Sequence, residues 1–292
     1  MSNRIVTYES FSKFLNEIIF GKSKLELLEK LYKKPERFIG IFRPTKPKGK
    51  VLQHLLTSQE IKFGNAMEHI ITEYLRIKGV EILPNKYQST TGKKLDVDIC
   101  FKFNNEIFVV ELKIRDDHDT SKKVGQAQNF EQKIDTVLSK YNDENSLIGV
   151  FYFVDPSLTK NAKYYREYFN KTTEQLGVKI EICYGKEFFT LLIMEEVWDE
   201  ICEYLIKWKE GIPELPEVNF DLDAEQSFND IKDFSPMMFL NLFENEEIFN
   251  EIILTIFPQK KTLFLLNDYF KELSEEHTRY KNLYQILNNL LN

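Results

Sequence analysis

The chain has 292 residues, of which 42% are hydrophobic and 14% aromatic, enough to bury a large core in one or more domains. No segment approaches the roughly 20 consecutive apolar residues that span a bilayer, and the first residues lack the apolar run of a secretory signal. The net charge of −7 argues at first sight against a nucleic acid partner. Three widely spaced cysteines are typical of buried thiols in a reducing compartment, so we expect a cytoplasmic protein.

The charge is unevenly distributed along the chain. Residues 1–125 hold 23 basic and 16 acidic side chains, a net charge of +7, whereas the remaining residues hold 16 and 30, a net charge of −14. Eleven acids and one lysine lie in the segment 214–251. The basic half can therefore attract phosphates despite the negative total, and the acidic segment should face away from such a partner or mimic it.

The N-terminal region predicts two helices and a basic loop. Apolar residues at helical spacing predict a helix over residues 8–20, and Ser23 with Glu26 predicts a capping box for a second helix. Residues 43–50 carry four cations and no acid, and their prolines and glycine argue against a regular helix. This loop is either a solvated linker or an arm that contacts phosphates, with candidate contacts at Arg43, Lys46 and Lys48.

A third helix should precede a set of strands. Thr57 and Glu60 predict a capping box that opens a helix ending at Lys78. Glu68 lies on the flank of its apolar stripe, from which it could reach over a sheet edge towards a metal ion. Residues 80–90 then predict a short strand interrupted by a proline.

Residues 95–114 predict a β-hairpin. Polar and apolar residues alternate in both arms, and Asn104-Asn105 forms a two-residue turn that tolerates positive φ. In the resulting register the numbers of paired residues sum to 209. One face is wholly apolar, so a one-residue slip would expose it to water.

The opposite face of this hairpin carries charged residues in specific pairs. The register sets Asp98 against Glu111 and Asp96 against Lys113. Like charges directly opposite destabilise a sheet, so something should offset the repulsion, and a divalent cation is the obvious candidate. The alternative is an exposed sheet face with ordinary surface charges.

A helix should follow the hairpin, starting near the cap residues Asp119, Thr120 and Ser121 and ending near Lys140. Lys123 extends its buried stripe towards the acids, and Gln126 lies on the flank. Lys122 and Lys123 are further candidates for phosphate contact, and Gln126 is a further candidate for DNA contact. The remaining predicted elements are a buried central strand at 147–154, a helix at 159–176, a strand at 178–183, a helix at 186–208 and helices at 238–257, 262–273 and 279–291.

The order of elements from 57 to 154 is α-β-β-β-α-β, which predicts an α/β fold with a mixed sheet and helices on both faces. We expect an N-terminal helical segment with a basic loop at 1–56, a catalytic core at 57–210, and an acidic linker with a C-terminal helical region at 211–292.

The charged pairs suit phosphate chemistry. Mg²⁺ prefers hard oxygen ligands, which Asp98, Glu111 and the backbone carbonyl of Leu112 would provide. Lys113 could orient an attacking water and stabilise charge on the phosphate. Asp96 would hold Lys113 in place or support a second metal.

Asp98 together with the Glu111-Leu-Lys113 triplet, on a hairpin within an αβββαβ core, resembles the PD-(D/E)XK nuclease superfamily and, within it, type II restriction endonucleases. Val97 stands where the motif usually has proline, a position that varies in the superfamily. Segments 111–126 and 36–48 also resemble restriction enzymes of short interrupted sites. The resemblance implies Mg²⁺-dependent hydrolysis of double-stranded DNA at a specific site, leaving 5′-phosphate ends. It further implies a homodimer, a cognate DNA methyltransferase without stable contact, and Glu68 as an additional acid.

Two other functions stay open, and the sequence argues against a third. A DNA repair or recombination nuclease of the same fold would have the same active site. A non-catalytic DNA-binding protein would leave the opposed acids unexplained. A metal phosphohydrolase of the His-Asp type is suggested by His118-Asp119, with His54 and His69 upstream, but that chemistry needs the pair on a helix and here it falls in a loop.

Overall fold

The computed structural model describes residues 4–89, 92–114, 120–141 and 146–292, without the side chains of residues 120 and 121. The chain divides into two compact units. The sheet unit comprises Met1–Lys13 and Gly64–Glu210, and the helical unit comprises Phe14–Phe63 and Gly211–Asn292. The N-terminal and C-terminal helical segments therefore share one unit, and the three-part division expected from the sequence stays a prediction.

The described helices and strands are as follows. The helices are α1 (Tyr8–Phe20), α2 (Ser23–Lys33), α3 (Pro47–Ile77), α4 (Thr120–Lys140), α5 (Ala162–Leu176), α6 (Glu187–Leu191), α7 (Glu195–Glu210), α8 (Ala224–Ile231), α9 (Pro236–Glu244), α10 (Glu246–Ile248), α11 (Leu254–Ile256), α12 (Lys261–Glu276) and α13 (Thr278–Leu291). The strands are β1 (Glu81–Ile82), β2 (Lys86–Gln88), β3 (Lys94–Asp96), β4 (Ile99–Phe103), β5 (Glu106–Lys113), β6 (Ser146–Phe153) and β7 (Lys179–Tyr184). Short 3₁₀ turns lie at Pro35–Arg37 and Phe220–Asp223, and a π-helical turn lies at Phe249–Ile253.

The sheet unit is built on a five-stranded mixed sheet in the order β1-β4-β5-β6-β7. Its first three strands pair antiparallel, and β5, β6 and β7 pair parallel. Apolar side chains of α4 and α5, including Phe130 and Phe169, form a buried cluster with Val109 and Phe151 of the sheet. Because the inner strands are buried on both faces, they read as nearly continuous apolar runs. These observations confirm the predicted restriction-endonuclease-like α/β fold with flanking helical segments.

The hairpin forms with the predicted register between Ile99 and Val110 and at each further pair up to the turn. Asn104 and Asn105 adopt φ values of 48° and 65°, as a two-residue turn requires. The first arm is not continuous, however. β3 pairs with β2 in a separate two-stranded sheet, where Asp96 lies opposite Lys86, so the predicted pairing of Asp96 with Lys113 is wrong.

The break in the first arm has a local cause. The backbone N–H of Val97 donates to the Asn85 carbonyl oxygen at 2.8 Å, which directs residues 94–97 towards β2. The chain bends at Asp98 and enters the main sheet only at β4. Alternation of polar and apolar residues continues across such a bend, so it does not reveal the change of partner.

The predicted helix starts were partly wrong. α3 begins at Pro47 and not at Thr57, because proline is tolerated in the first helical turn, where its missing N–H needs no partner. The basic segment 43–50 is therefore a loop followed by a helical turn. α2 begins at Ser23 as predicted, but the Ser23 hydroxyl donates to the Phe20 carbonyl oxygen, so no capping box forms.

Two further segments differ from the prediction. The helix expected over residues 186–208 is divided into α6 and α7 by a turn in which Ile193 has a φ of 57°. The acidic segment that resembled a linker is folded within the helical unit, where Phe220 and Ile231 join the core. Its buried Asp221 carboxylate accepts from the backbone N–H groups of Gln259 and Thr262, which explains one acid of this segment structurally.

The helical unit has its own apolar core, drawn mainly from α2, α9, α12 and α13 and the π-helical turn. Within the described ranges, no helix combines the length and apolar character needed to cross a membrane.

Candidate active site

Asp98 and Glu111 meet at the end of the hairpin where the antiparallel ladder stops. Asp98 occupies the bend before β4, and its Oδ2 accepts from the backbone N–H of Leu112 at 2.8 Å. Leu112 pairs with Tyr152 of β6 on its other side, so the Asp98 side chain takes the place of the partner that Leu112 lacks on the β4 side. Glu111 follows on β5 and is only 4% exposed.

The acidic face of the hairpin is covered by α4, so the alternative of an exposed face with surface charges is wrong. Cys100 and Val109 of this face pack with Ala127, Phe130 and Ile134 of α4. Burying a carboxylate without a partner is costly, so the acids need compensating charges.

Two lysines supply this compensation. The Lys133 ammonium lies 3.0 Å from Asp98 Oδ1 and also contacts Glu111 Oε2, and Lys133 itself is 6% exposed. The Lys113 ammonium lies 2.7 Å from Glu111 Oε1. Both carboxylates therefore contact the same ammonium group, that of Lys133. The repulsion between them is offset by lysine charges of the protein itself.

The sequence prediction did not include Lys133. This residue belongs to the apolar row of α4, between Phe130 and Val137, at the helical spacing of buried positions. A lysine in a buried row is the signal that could have found it, because such a residue is almost never buried without a partner. Lys123 was expected near the acids instead.

Lys123, which was predicted near the acids, and Gln126, which was a candidate for DNA contact, both contact α5. The Lys123 ammonium lies over the ring of Tyr164, 4.6 Å from its centroid, and Gln126 accepts from the Tyr165 hydroxyl at 2.8 Å. Lys122 is exposed. The pair His118-Asp119 lies outside the described residues. His54 is on α3 in the helical unit, where its ring packs edge-on against Phe38.

Burial and charged neighbours shift the pKa values of Asp98 and Glu111 in opposite directions. Burial, followed by the charge of Glu111, raises the pKa of Asp98 above its ordinary value. For Glu111 burial acts in the same direction, but the ammonium groups of Lys113 and Lys133 outweigh it and lower its pKa. Burial would lower the pKa of Lys133, yet the two carboxylates raise it, so the bridging ammonium stays charged.

Glu68 belongs to the same electrostatic cluster. It lies half-buried on α3, in the part of this helix that belongs to the sheet unit. Burial raises its pKa to about 7, with further contributions from the negative charges of Asp98 and Glu111. Three carboxylates thus influence one another at this end of the sheet.

The donor set fits a hard divalent cation. Mg²⁺ often takes only one or two protein carboxylates and completes its shell with water and substrate oxygens. Asp98 Oδ1 and Glu111 Oε2 already face one cationic group. The Leu112 carbonyl points to the Asp98 side, because the N–H and C=O groups of one strand residue point the same way. In the described residues no group of three or more His, Cys, Asp or Glu side chains forms a preformed metal cage.

The remaining predicted contacts lie in the helical unit. The Arg43 guanidinium donates to the Glu36 carbonyl oxygen, at 3.3 Å from Nε and 3.1 Å from Nη2. Lys46 precedes α3 and Lys48 lies in its first turn, and both side chains are exposed.

The mixed sheet, the carboxylates at the end of its hairpin and the adjoining lysines resemble the core of PD-(D/E)XK nucleases. Residues 76–209 match the family model described as type II restriction endonuclease, HinfI. This match confirms the resemblance to type II restriction endonucleases, and it includes Asp98, Glu111, Lys113 and Lys133 but not Glu68. No individual curated protein matches the sequence.

Proposed function

We propose that this protein is a type II restriction endonuclease, which hydrolyses double-stranded DNA at a specific site in the presence of Mg²⁺ and leaves 5′-phosphate ends. One observation carries the proposal. Asp98 Oδ1 and Glu111 Oε2 both contact the Lys133 ammonium, and a second ammonium, that of Lys113, lies beside Glu111. The match of residues 76–209 to a restriction endonuclease family supports it independently.

In this proposal Asp98, Glu111 and the Leu112 carbonyl would hold the metal. A bound Mg²⁺ would acidify water and neutralise charge on the phosphate. Lys113 orients the attacking water and stabilises the negative charge that develops on the phosphate, since its ammonium is held beside Glu111 and is partly accessible. Glu68 is the additional carboxylate and Asp96 has no part, because it pairs in the small sheet.

Lys133 has a separate role in the proposal. Its ammonium is the counter-ion of both the Asp98 and the Glu111 carboxylate, and it keeps them together. Asp98 and Glu111 would have to release this ammonium in order to hold a divalent cation with the same oxygens. Lys133 is therefore a positioning residue, whereas Lys113 acts on the substrate.

The basic N-terminal half supports a DNA substrate. Arg43, Lys46, Lys48 and Lys122 remain candidates for phosphate contact. A homodimer would let two such sites cut both strands, and a cognate DNA methyltransferase would protect the host sequence.

The test is cleavage of long duplex DNA of known sequence by the purified protein with Mg²⁺ or with EDTA. Discrete fragments with a common end sequence and 5′-phosphates, formed only with Mg²⁺, are expected. Lys113→Met should abolish cleavage and retain DNA binding, whereas Lys102→Met, on the neighbouring strand β4, should cut normally.

Two results would contradict the proposal. Cutting restricted to junctions, flaps or ends would indicate a repair or recombination nuclease with the same core. Binding without cleavage of any DNA would indicate a non-catalytic DNA-binding protein.

A further inference from the structure

A sharply defined turn in the helical unit presents two large apolar side chains to solvent. Gly40 has a φ of 113°, and the backbone N–H of Arg43 donates to its carbonyl oxygen at 3.2 Å, which closes a β-turn around Ile41 and Phe42. A positive φ of this kind favours glycine, because it has no Cβ. The glycine and the hydrogen bond therefore fix the backbone conformation of this turn.

The base of the turn is fixed to the helical unit. The Arg43 guanidinium donates twice to the Glu36 carbonyl oxygen, and Phe38 and Ile39 are buried in the core of this unit. The apolar residues before the glycine thus anchor the segment, and those after it are exposed.

Ile41 is 91% exposed and Phe42 is 93% exposed, more than any other large apolar side chain of the described residues. Single exposed apolar residues are normal on protein surfaces. Two adjacent ones at the tip of a fixed turn leave apolar area in water that a partner could bury, and such exposed apolar groups commonly mark binding sites.

The charge around the turn indicates the chemistry of this partner. Residues 34–50 contain six basic side chains and one acid, Glu36, in a chain whose net charge is −7. A partner that fits must present negative charge around an apolar surface. Duplex DNA does so, since its phosphates flank base pairs whose stacked faces become accessible when one step opens.

We propose that the Ile41–Phe42 turn is a wedge that enters a base step of duplex DNA, while Arg43, Lys46 and Lys48 contact the flanking phosphates. This inference rests on the proposed function only in taking DNA as the substrate. Inserted apolar side chains partly unstack a step and kink the duplex, which makes binding depend on how easily a sequence deforms. The wedge would therefore contribute to sequence preference without hydrogen bonds to bases.

The experiment measures binding and unstacking without cleavage. The full-length protein is titrated, with Ca²⁺ in place of Mg²⁺, into a pool of random-sequence duplexes in which 2-aminopurine replaces some adenines. Anisotropy at several salt concentrations gives the affinity, and 2-aminopurine fluorescence reports unstacking. Leu222→Ala, which truncates another exposed apolar residue of the helical unit, is the matched control.

Phe42→Ala should weaken binding roughly ten- to a hundredfold and abolish the fluorescence rise, because stacking contacts of this size are lost. The slope of log affinity against log salt should not change, since no phosphate contact is removed. The double variant Lys46→Ala/Lys48→Ala should instead lower the slope by about 0.9 for each lysine and keep the fluorescence rise. Leu222→Ala should behave as the wild type.

The wedge is overturned if Phe42→Ala binds and unstacks the duplexes as the wild type does. It is also overturned if Phe42→Ala leaves unstacking intact but converts a dimer to a monomer in sedimentation, which would make the turn an interface between two copies of the chain. Cleavage by the wild type in Mg²⁺ is scored separately. A protein that unstacks DNA through Phe42 but never cuts it would refute the proposed function and retain the wedge.

Discussion

Replacing Lys133 by methionine removes the ammonium that bridges Asp98 and Glu111 and keeps a side chain of similar length. Lys133 is buried, so water cannot take over this role without rearrangement of α4. We expect the variant to fold, because the neighbouring Phe130 and Ile134 hold α4 on the sheet.

The size of the effect follows from the charges left behind. Breaking a buried ion pair by removing one partner costs about 3–5 kcal/mol. Here the loss is smaller, because Lys113 still contacts Glu111. We expect a loss of about 2–3 kcal/mol in the free energy of unfolding at pH 8, which lowers the melting temperature by about 4–12 °C.

The pH dependence has a definite sign. Protonation of Asp98 in the native variant removes an unpaired buried charge, and a group with a raised native pKa favours the folded state as the pH falls. The difference between Lys133→Met and the wild type should therefore shrink between pH 8 and pH 5. Ca²⁺ should restore more stability to the variant than to the wild type, because it no longer competes with an ammonium.

The assay is calorimetry in EDTA and in Ca²⁺ at both pH values, together with calorimetric titration of Ca²⁺. Lys133→Arg keeps the charge and should lose less stability, and Lys140→Met changes an exposed lysine of the same helix as a control. A variant as stable as the wild type in EDTA at pH 8 would refute the role of Lys133. So would a loss that neither pH nor Ca²⁺ alters.

Three further predictions concern other residues of the sheet unit. Glu111→Gln should weaken Ca²⁺ binding and reduce cleavage by more than about a hundredfold, and retention of both in calorimetric and gel assays would remove Glu111 from the metal site. The pKa of Glu68 is about 7 in the native protein, and its ordinary value is 4.5. Between these two pH values the native protein keeps a proton that the unfolded chain has lost, so its stability falls as the pH rises. Above pH 7 the full cost of ionising Glu68 is present. Glu68→Gln should therefore raise the melting temperature in EDTA at pH 8 and not at pH 4.5; an equal rise at both would contradict this. Asn105→Val should lower the free energy of unfolding in urea by about 1–2 kcal/mol, because Asn105 has a φ of 65° that valine tolerates poorly. Asn105→Gly is the control, since glycine tolerates this conformation. A valine variant as stable as the wild type would show that the turn can relax.

Much of the hairpin followed from local chemistry. Two asparagines that tolerate positive φ set a two-residue turn, and the turn sets the register of Ile99 with Val110. The apolar alternation of the arms and the apolar run of β6 predicted a buried mixed sheet because burial on each face imposes its own pattern. These signals are local, so the sequence by itself carried the αβββαβ order and the acids at the end of the hairpin.

The partners of those acids depended on contacts between segments far apart in the chain. Asp96 satisfies the alternation of the first arm but pairs with Lys86, because a bend at Asp98 transfers that part of the chain to another sheet. Lys133 stands 22 residues after Glu111 and reaches it only because α4 packs across the acidic face. The sequence by itself determined which residues carry charge on the hairpin. Only the tertiary structure decided which ammonium neutralises them, since a buried charge is stabilised by its neighbours in space.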